Sequence, residues 1–200
     1  MYLTIITLIA LFLRLILVNQ SFWLDEGASL MFGNLPLPQL MESIKTDFHP
    51  PFFYTLLHFW LPFAGKSEWL IRLPFILLAT LTIPALYFLC RELFGEKSRV
   101  PLLSALFLSL NPLHIYYSQE LRMYSLATLL VVLSWHFLVK KKYLFVSLLN
   151  LFGFFSFYGV IFNIFSKLIY LLYNKTKNIF GKILLLTAPT FLVFFCWWPI

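Results

Sequence analysis

The chain has 200 residues, 61% of them hydrophobic and only 12% charged, with a formal net charge of +7. A soluble globular domain carries about twice that charged fraction, so this chain cannot cover itself with polar groups and its solvent is mostly lipid. The basic residues lie in short clusters between apolar runs rather than along a stripe. That pattern excludes a nucleic-acid partner and fits the cytoplasmic charge of a membrane protein.

The N-terminus is apolar from Tyr2 to Val18, with no basic start and no small-residue cleavage site, and reads as a retained first span rather than a signal peptide. Arg14, one turn from its far end, is expected to snorkel to headgroups. SFWLDEGASL (21–30) follows, carrying Asp25 and Glu26. Paired carboxylates beside a membrane bind a divalent cation or supply a general base. Alternatively, Asp25 caps a helix over 26–33 with Glu26 favoured by its dipole.

FHPPFFY (48–54) is extended where His49 and Pro50 each precede a proline, then starts a helix with proline in its first turn. His49 is either a metal ligand, proton carrier or sugar contact in a cleft, or an ordinary interfacial residue. The run 51–64 is short for a span and holds His58 and Pro62, which suits an interfacial or re-entrant helix.

Spans are expected at 2–18, 71–90, 100–117, 123–139, 143–162, 162–173 and 183–200. If the N-terminus is cytoplasmic and 51–64 does not cross, the segments 91–99, 140–142 and 174–182 fall inside. They carry three cations each, nine of the fifteen Lys and Arg. The expected fold is therefore all-α and polytopic, with seven spans and an outer loop over about 19–70. That loop is aromatic (Phe22, Trp23, Phe32, Phe48, Trp60, Trp69) and should form amphipathic surface helices.

The topology places Asp25, Glu26, Asp47, His49, Glu120 and Arg122 on the extracytoplasmic side. The turn NPLHIYYSQELRMY (111–124) sets Glu120 and Arg122 among Tyr116, Tyr117 and Tyr124. It reads as a local ion pair, or as a second acidic site facing the first with Arg122 on a lipid phosphate. Arg72 adds to that anion site or snorkels. Cys90 and Cys196 lack metal-ligand spacing and read as buried free thiols.

In order, the Asp-Glu pair, HPPFFY, SEWLIRLPFILL (67–78) and NPLHIYYSQELRMYSL resemble the polyprenyl-phosphate-dependent glycosyltransferases of the C superfamily. The likeness is to relatives of the protein O-mannosyltransferases and of the lipid A aminoarabinose transferase. It covers about 1–140 by signature and 140–200 by hydropathy alone. The resemblance implies an inverting membrane transferase acting on the outer face. It would move a sugar from a polyprenyl phosphate to a lipid, glycan or protein acceptor.

By the same resemblance Asp25 is the base or a metal carboxylate, Glu26 assists, and Glu120 matches the second acidic site. Arg122, Arg72, His49, Tyr117 and Tyr124 are the candidates for donor phosphate or sugar. A divalent ion would draw on Asp25 and Glu120. No nucleotide is implied, and the chain has no Gly-rich phosphate loop. Residues 1–200 read as one transmembrane module, the N-terminal portion of a longer architecture.

Two other classes compete. A transporter or flippase of a lipid-linked substrate wants charge near the bilayer midplane, whereas the spans here look nearly free of it. Only the polar and small residues Gly153, Ser156, Gly159, Asn163 and Ser166 favour that reading. A non-catalytic membrane subunit would show no transferase activity.

Overall fold

Proline, glycine and asparagine cut the apolar runs into helices, and these form the whole architecture. A computed structural model describes residues 1–16, 18, 20–46, 49–175 and 177–197. Asp47 and Phe48 lie outside the described residues, as does the end of the last expected span. Among the described residues there are eleven helices and no strand. They are Tyr2–Leu15 (α1), Leu24–Gly33 (α2), Leu37–Thr46 (α3), Pro51–Ala64 (α4), Glu68–Phe94 (α5) and Val100–Leu110 (α6). Then come Pro112–Ser118 (α7), Tyr124–Val139 (α8), Tyr143–Ser156 (α9), Val160–Tyr173 (α10) and Ile179–Trp197 (α11).

Two helices, α5 and α11, are each long and apolar enough to cross a membrane. The pair α6 and α7 passes the same test taken together, bent by 59°. Four shorter helices, α1, α8, α9 and α10, are apolar. The bend has a local cause. Asn111 precedes a proline, which disfavours helical backbone there, and its side chain then accepts from the His114 N–H at 2.9 Å to start α7. The expected span over 143–162 stops earlier, at Ser156, and α10 begins four residues later.

Helix α5 is the hub, packing against α1, α6 and α8; α9 joins α8 to α11. Its two internal prolines do not break it. Pro74 has no N–H for the Leu70 carbonyl four residues earlier. Trp60 of α4 supplies the donor instead, its indole N–H reaching Leu70 O at 2.9 Å. The same device joins α9 to α11, where Pro189 frees the Leu185 carbonyl and the Ser147 hydroxyl donates to it at 2.7 Å. Pro74 and Pro189 thus each mark a cross-helix tie.

The three helices of the 19–70 segment pack on one apolar cluster with the start of α5. Leu40, Ile44, Phe53, Tyr54, Leu57 and Phe75 are buried there together with Leu121 and Met123. α2 and α4 approach closely at Gly33. A Cβ at that position would lie 2.9 Å from Leu61 and 3.0 Å from Leu57.

Three expectations fail here. Arg14 does not snorkel: it is fully buried. Its guanidinium donates to the carbonyls of Ala10 (2.8 Å), Ser109 (3.3 Å) and Leu108 (3.4 Å), and its Nη2 lies 2.7 Å from His114 Nδ1. Leu108 and Ser109 are in the last turn of α6, and Arg14 itself is in the last turn of α1, so two helix dipoles compensate the charge. The spans are also not free of buried charge, because Lys167 is fully buried on α10 and donates to Asn150 Oδ1 at 2.6 Å. Finally, Cys90 is buried but Cys196 is exposed.

Candidate functional site

The site is built at the end of the bundle where α5 and α8 begin, and Glu26 is its keystone. Helix α2 starts at Leu24, so Asp25 is inside the first turn rather than the capping residue expected over 26–33. Glu26 stands at the third helical position, with Oε2 3.5 Å from the Trp23 N–H. Its carboxylate then reaches two other segments. Arg72 Nε donates to Oε1 at 2.8 Å and Arg72 Nη2 to Oε2 at 2.6 Å, a two-pronged pair with both side chains buried. Oε1 also accepts the Leu121 N–H at 2.8 Å.

One buried carboxylate therefore fastens α2, α5 and the α7–α8 turn together. Arg72 completes the knot by donating through Nη1 to the carbonyls of Val18 (2.8 Å) and Gln20 (2.7 Å). Its face lies 4.4 Å from the Phe22 ring centroid. With its donors so engaged, Arg72 is a positioning residue. Gln119 adds a second tie, its side-chain amide donating to Ile16 O at 2.6 Å and Arg14 O at 3.2 Å.

The knot walls a cavity of about 250 Å³, lined among others by Trp23, Glu26, Arg72, Tyr116, Gln119 and Glu120. Glu120 is buried, and its Oε1 has no hydrogen-bond partner. Burial raises its pKa above the ordinary carboxylate value, with Glu26 and Asp25 adding repulsion; the Tyr116 hydroxyl and Arg122 pull the other way.

Asp25 and Arg122 flank this cavity rather than line it. Arg122 Nη2 is 3.8 Å from Asp25 Oδ2, and Asp25 is 53% exposed. Arg122 is otherwise buried, with Nε lacking a partner and Cζ 6.0 Å from the Tyr124 ring centroid. It holds donor capacity that the protein does not use.

Across the α7 helix lies a second cavity of about 470 Å³, lined among others by Leu108, Leu113, His114, Tyr117, Tyr124 and Thr128. Tyr117 and Tyr124 meet edge-on at 4.9 Å there.

The structure thus unites Asp25, Glu26, Arg72, Glu120 and Arg122, and sets Tyr117 and Tyr124 beside them. His49 packs edge-on against Tyr54 at 6.1 Å and is not among the residues lining these two cavities. Among the described residues no three His, Cys, Asp or Glu side chains form a metal-binding group. Tyr116 and Gln119 went unread as lining residues. The signal for Tyr116 is its place in the 111–124 turn beside Glu120, whose carboxylate its hydroxyl reaches.

The all-helical, apolar fold and its charged cavity at one end define a helical membrane protein with a polar site among its helices. The chain belongs to the dolichyl-phosphate-mannose-protein mannosyltransferase family, whose model matches residues 48–199. It is accordingly a member of a family of membrane glycosyltransferases. The match runs through the part of the chain beyond residue 140, where sequence motifs gave only hydropathy. It includes His49, Arg72, Glu120 and Arg122 and starts after the Asp25–Glu26 pair. No curated protein matches the chain, and no solved structure does.

Proposed function

We propose that this chain transfers a sugar, with inversion, from a polyprenyl-phosphate donor to a hydroxyl or amine acceptor on the extracytoplasmic face of the membrane. The observation that carries the reading is the Glu26 knot. It brings two carboxylates with free capacity, Asp25 and Glu120, to one place beside an arginine with unspent donors.

In this reading Asp25 is the base, because it is exposed to an arriving acceptor while Glu26 is committed to Arg72. Asp25 takes the proton from the acceptor O–H or N–H. The freed lone pair attacks the anomeric carbon, and the bond from that carbon to the phosphate oxygen breaks. The lipid phosphate departs with that electron pair, held by Arg122.

Glu120, inclined by burial to keep a proton, faces the sugar in the smaller cavity. The larger cavity, apolar on one side and ringed by Tyr117 and Tyr124, takes the start of the lipid. A divalent ion would draw on Asp25 and Glu120. Two carboxylates would need the donor phosphate and water to complete the ion's shell, and no step here runs through a metal.

Membrane orientation follows from charge. α5 carries Arg72 near its start and Arg91 near its end, and Lys140, which caps the end of α8, pairs with Glu92 at 2.9 Å. The basic clusters 91–99 and 140–142 therefore share the end opposite the site, which favours a cytoplasmic location for them. Seven crossings would take the shorter apolar helices α1, α8, α9 and α10 together with α5, α11 and the bent α6–α7 pair.

The test is polyprenyl-phosphate affinity in nanodiscs for wild type, Arg122→Lys and Arg122→Ala. Lys keeps the charge but lacks the planar two-pronged donor. Loss of the charge-assisted bonds in Arg122→Ala should cost about 1.5–3 kcal/mol, with Arg122→Lys between it and wild type. Equal affinity in all three would remove Arg122 from the donor site.

A further inference from the structure

At the other end of the bundle the ends of α8 and α10 and the start of α11 enclose a recess of about 470 Å³. Lys141, Lys175, Lys177 and Lys182 line it, with Tyr143 and Tyr170. Its apolar side is Leu138 and Leu171. Three of the lysines are exposed; Lys182 lies 4.8 Å from the Tyr143 ring centroid.

The charge has no counterpart among the described residues. All eight acidic residues precede Leu121, and of the two acids at this end Glu92 pairs with Lys140 and Glu96 with Arg91. Nor are the lysines needed to close helix ends. The backbone N–H groups of residues 140–142 already take the carbonyls of His136, Leu138 and Phe137, and Asn174 and Lys175 take those of Tyr170 and Leu172. Moreover, Lys141 and Lys175 sit at φ of 57° and 45°. That is left-handed backbone, where Gly or Asn is the usual choice and lysine is rare. Lysine is thus held at strained positions where it neutralises no acid among the described residues.

We propose that this recess binds a phosphate-bearing anion, whether the headgroup of an anionic phospholipid or a free phosphate. Four ammonium groups supply the charge, the tyrosine hydroxyls supply neutral donors, and the leucine wall suits the first carbons of a lipid. Helix α8, 16 residues long, separates the recess from Glu120 by about 24 Å, so this is a second site and not part of the first.

The test uses the full chain in nanodiscs of phosphatidylcholine doped with phosphatidylglycerol, at physiological ionic strength. Native mass spectrometry reads the retained lipid. Wild type should retain phosphatidylglycerol at least about tenfold over phosphatidylcholine, as four close cations on one phosphate imply. Lys175→Gln/Lys177→Gln should lose most of that preference. Lys97→Gln/Arg99→Gln removes equal charge from exposed positions at the same end and should keep it.

Displacement by millimolar inorganic phosphate would assign the phosphate alone as the ligand, and its absence would assign the lipid. No preference in wild type, or equal loss in the two double variants, overturns the proposal.

Discussion

Arg72 and Lys175 are both cations near the end of a helix, and the molecule treats them in opposite ways. Arg72 is buried, meets Glu26 with two donors at 2.6–2.8 Å, and gives its remaining donors to backbone carbonyls. Lys175 is exposed, in left-handed backbone, beside other lysines in a part of the chain without acids. The contrast separates charge that builds a site from charge left for a ligand. A buried ion is tolerated only when its partner is fixed, so the Glu26–Arg72 pair must be rigid. An exposed lysine on a flexible stem costs little to leave unpaired, so it can exchange partners.

The comparison breaks most visibly if the pair is split. Arg72→Ala or Glu26→Ala leaves a buried charge alone and should cost about 3–5 kcal/mol of stability in detergent. The double variant Glu26→Gln/Arg72→Met should regain part of that loss. Singles within 1 kcal/mol of wild type would show that the knot does not hold the three segments. Gly33→Ala should follow, at about 1–3 kcal/mol, because the added methyl meets Leu57 and Leu61. Ordinary chemical denaturation measures both.

A smaller effect sits at Glu120. Its raised pKa means the folded state holds that proton more tightly than the unfolded chain. Stability from this group is therefore greatest in acid and falls as pH rises from the unfolded pKa to the raised folded one. Glu120→Gln cannot ionise and should flatten that slope, while matching wild type below the window. A slope unchanged in the variant would assign it to other groups. Least affected should be Lys175→Gln/Lys177→Gln, within about 0.5 kcal/mol of wild type, since exposed charges without partners contribute little. A larger loss would mean these lysines are structural and would blur the contrast.

Much of this was legible from composition and order alone. The helical membrane class followed from the apolar runs, and the meeting of the first loop with the 111–124 turn followed from charge placement. The Leu121 N–H on Glu26 is that meeting in atomic detail. What stayed hidden depends on partners far apart in sequence. Nothing near Arg14 announces that α6 ends beside it, so burial at two helix termini read as snorkelling. Nothing near Asp25 and Glu26 shows that one is fastened and the other exposed, because that division is set by Arg72, 46 residues on. Pro74 and Pro189 lie inside expected spans, and nothing near them shows that the facing Trp60 and Ser147 take up the carbonyls they free.

In the proposed transferase the exposed Asp25 carboxylate removes the acceptor's proton. The most direct measurement is sugar transfer from a polyprenyl-phosphate donor by wild type and Asp25→Asn, with donor affinity read in parallel. Asn keeps the shape and removes the charge. The rate should fall by about 10²–10⁴ with donor affinity close to wild type. A near-normal rate in Asp25→Asn would contradict it.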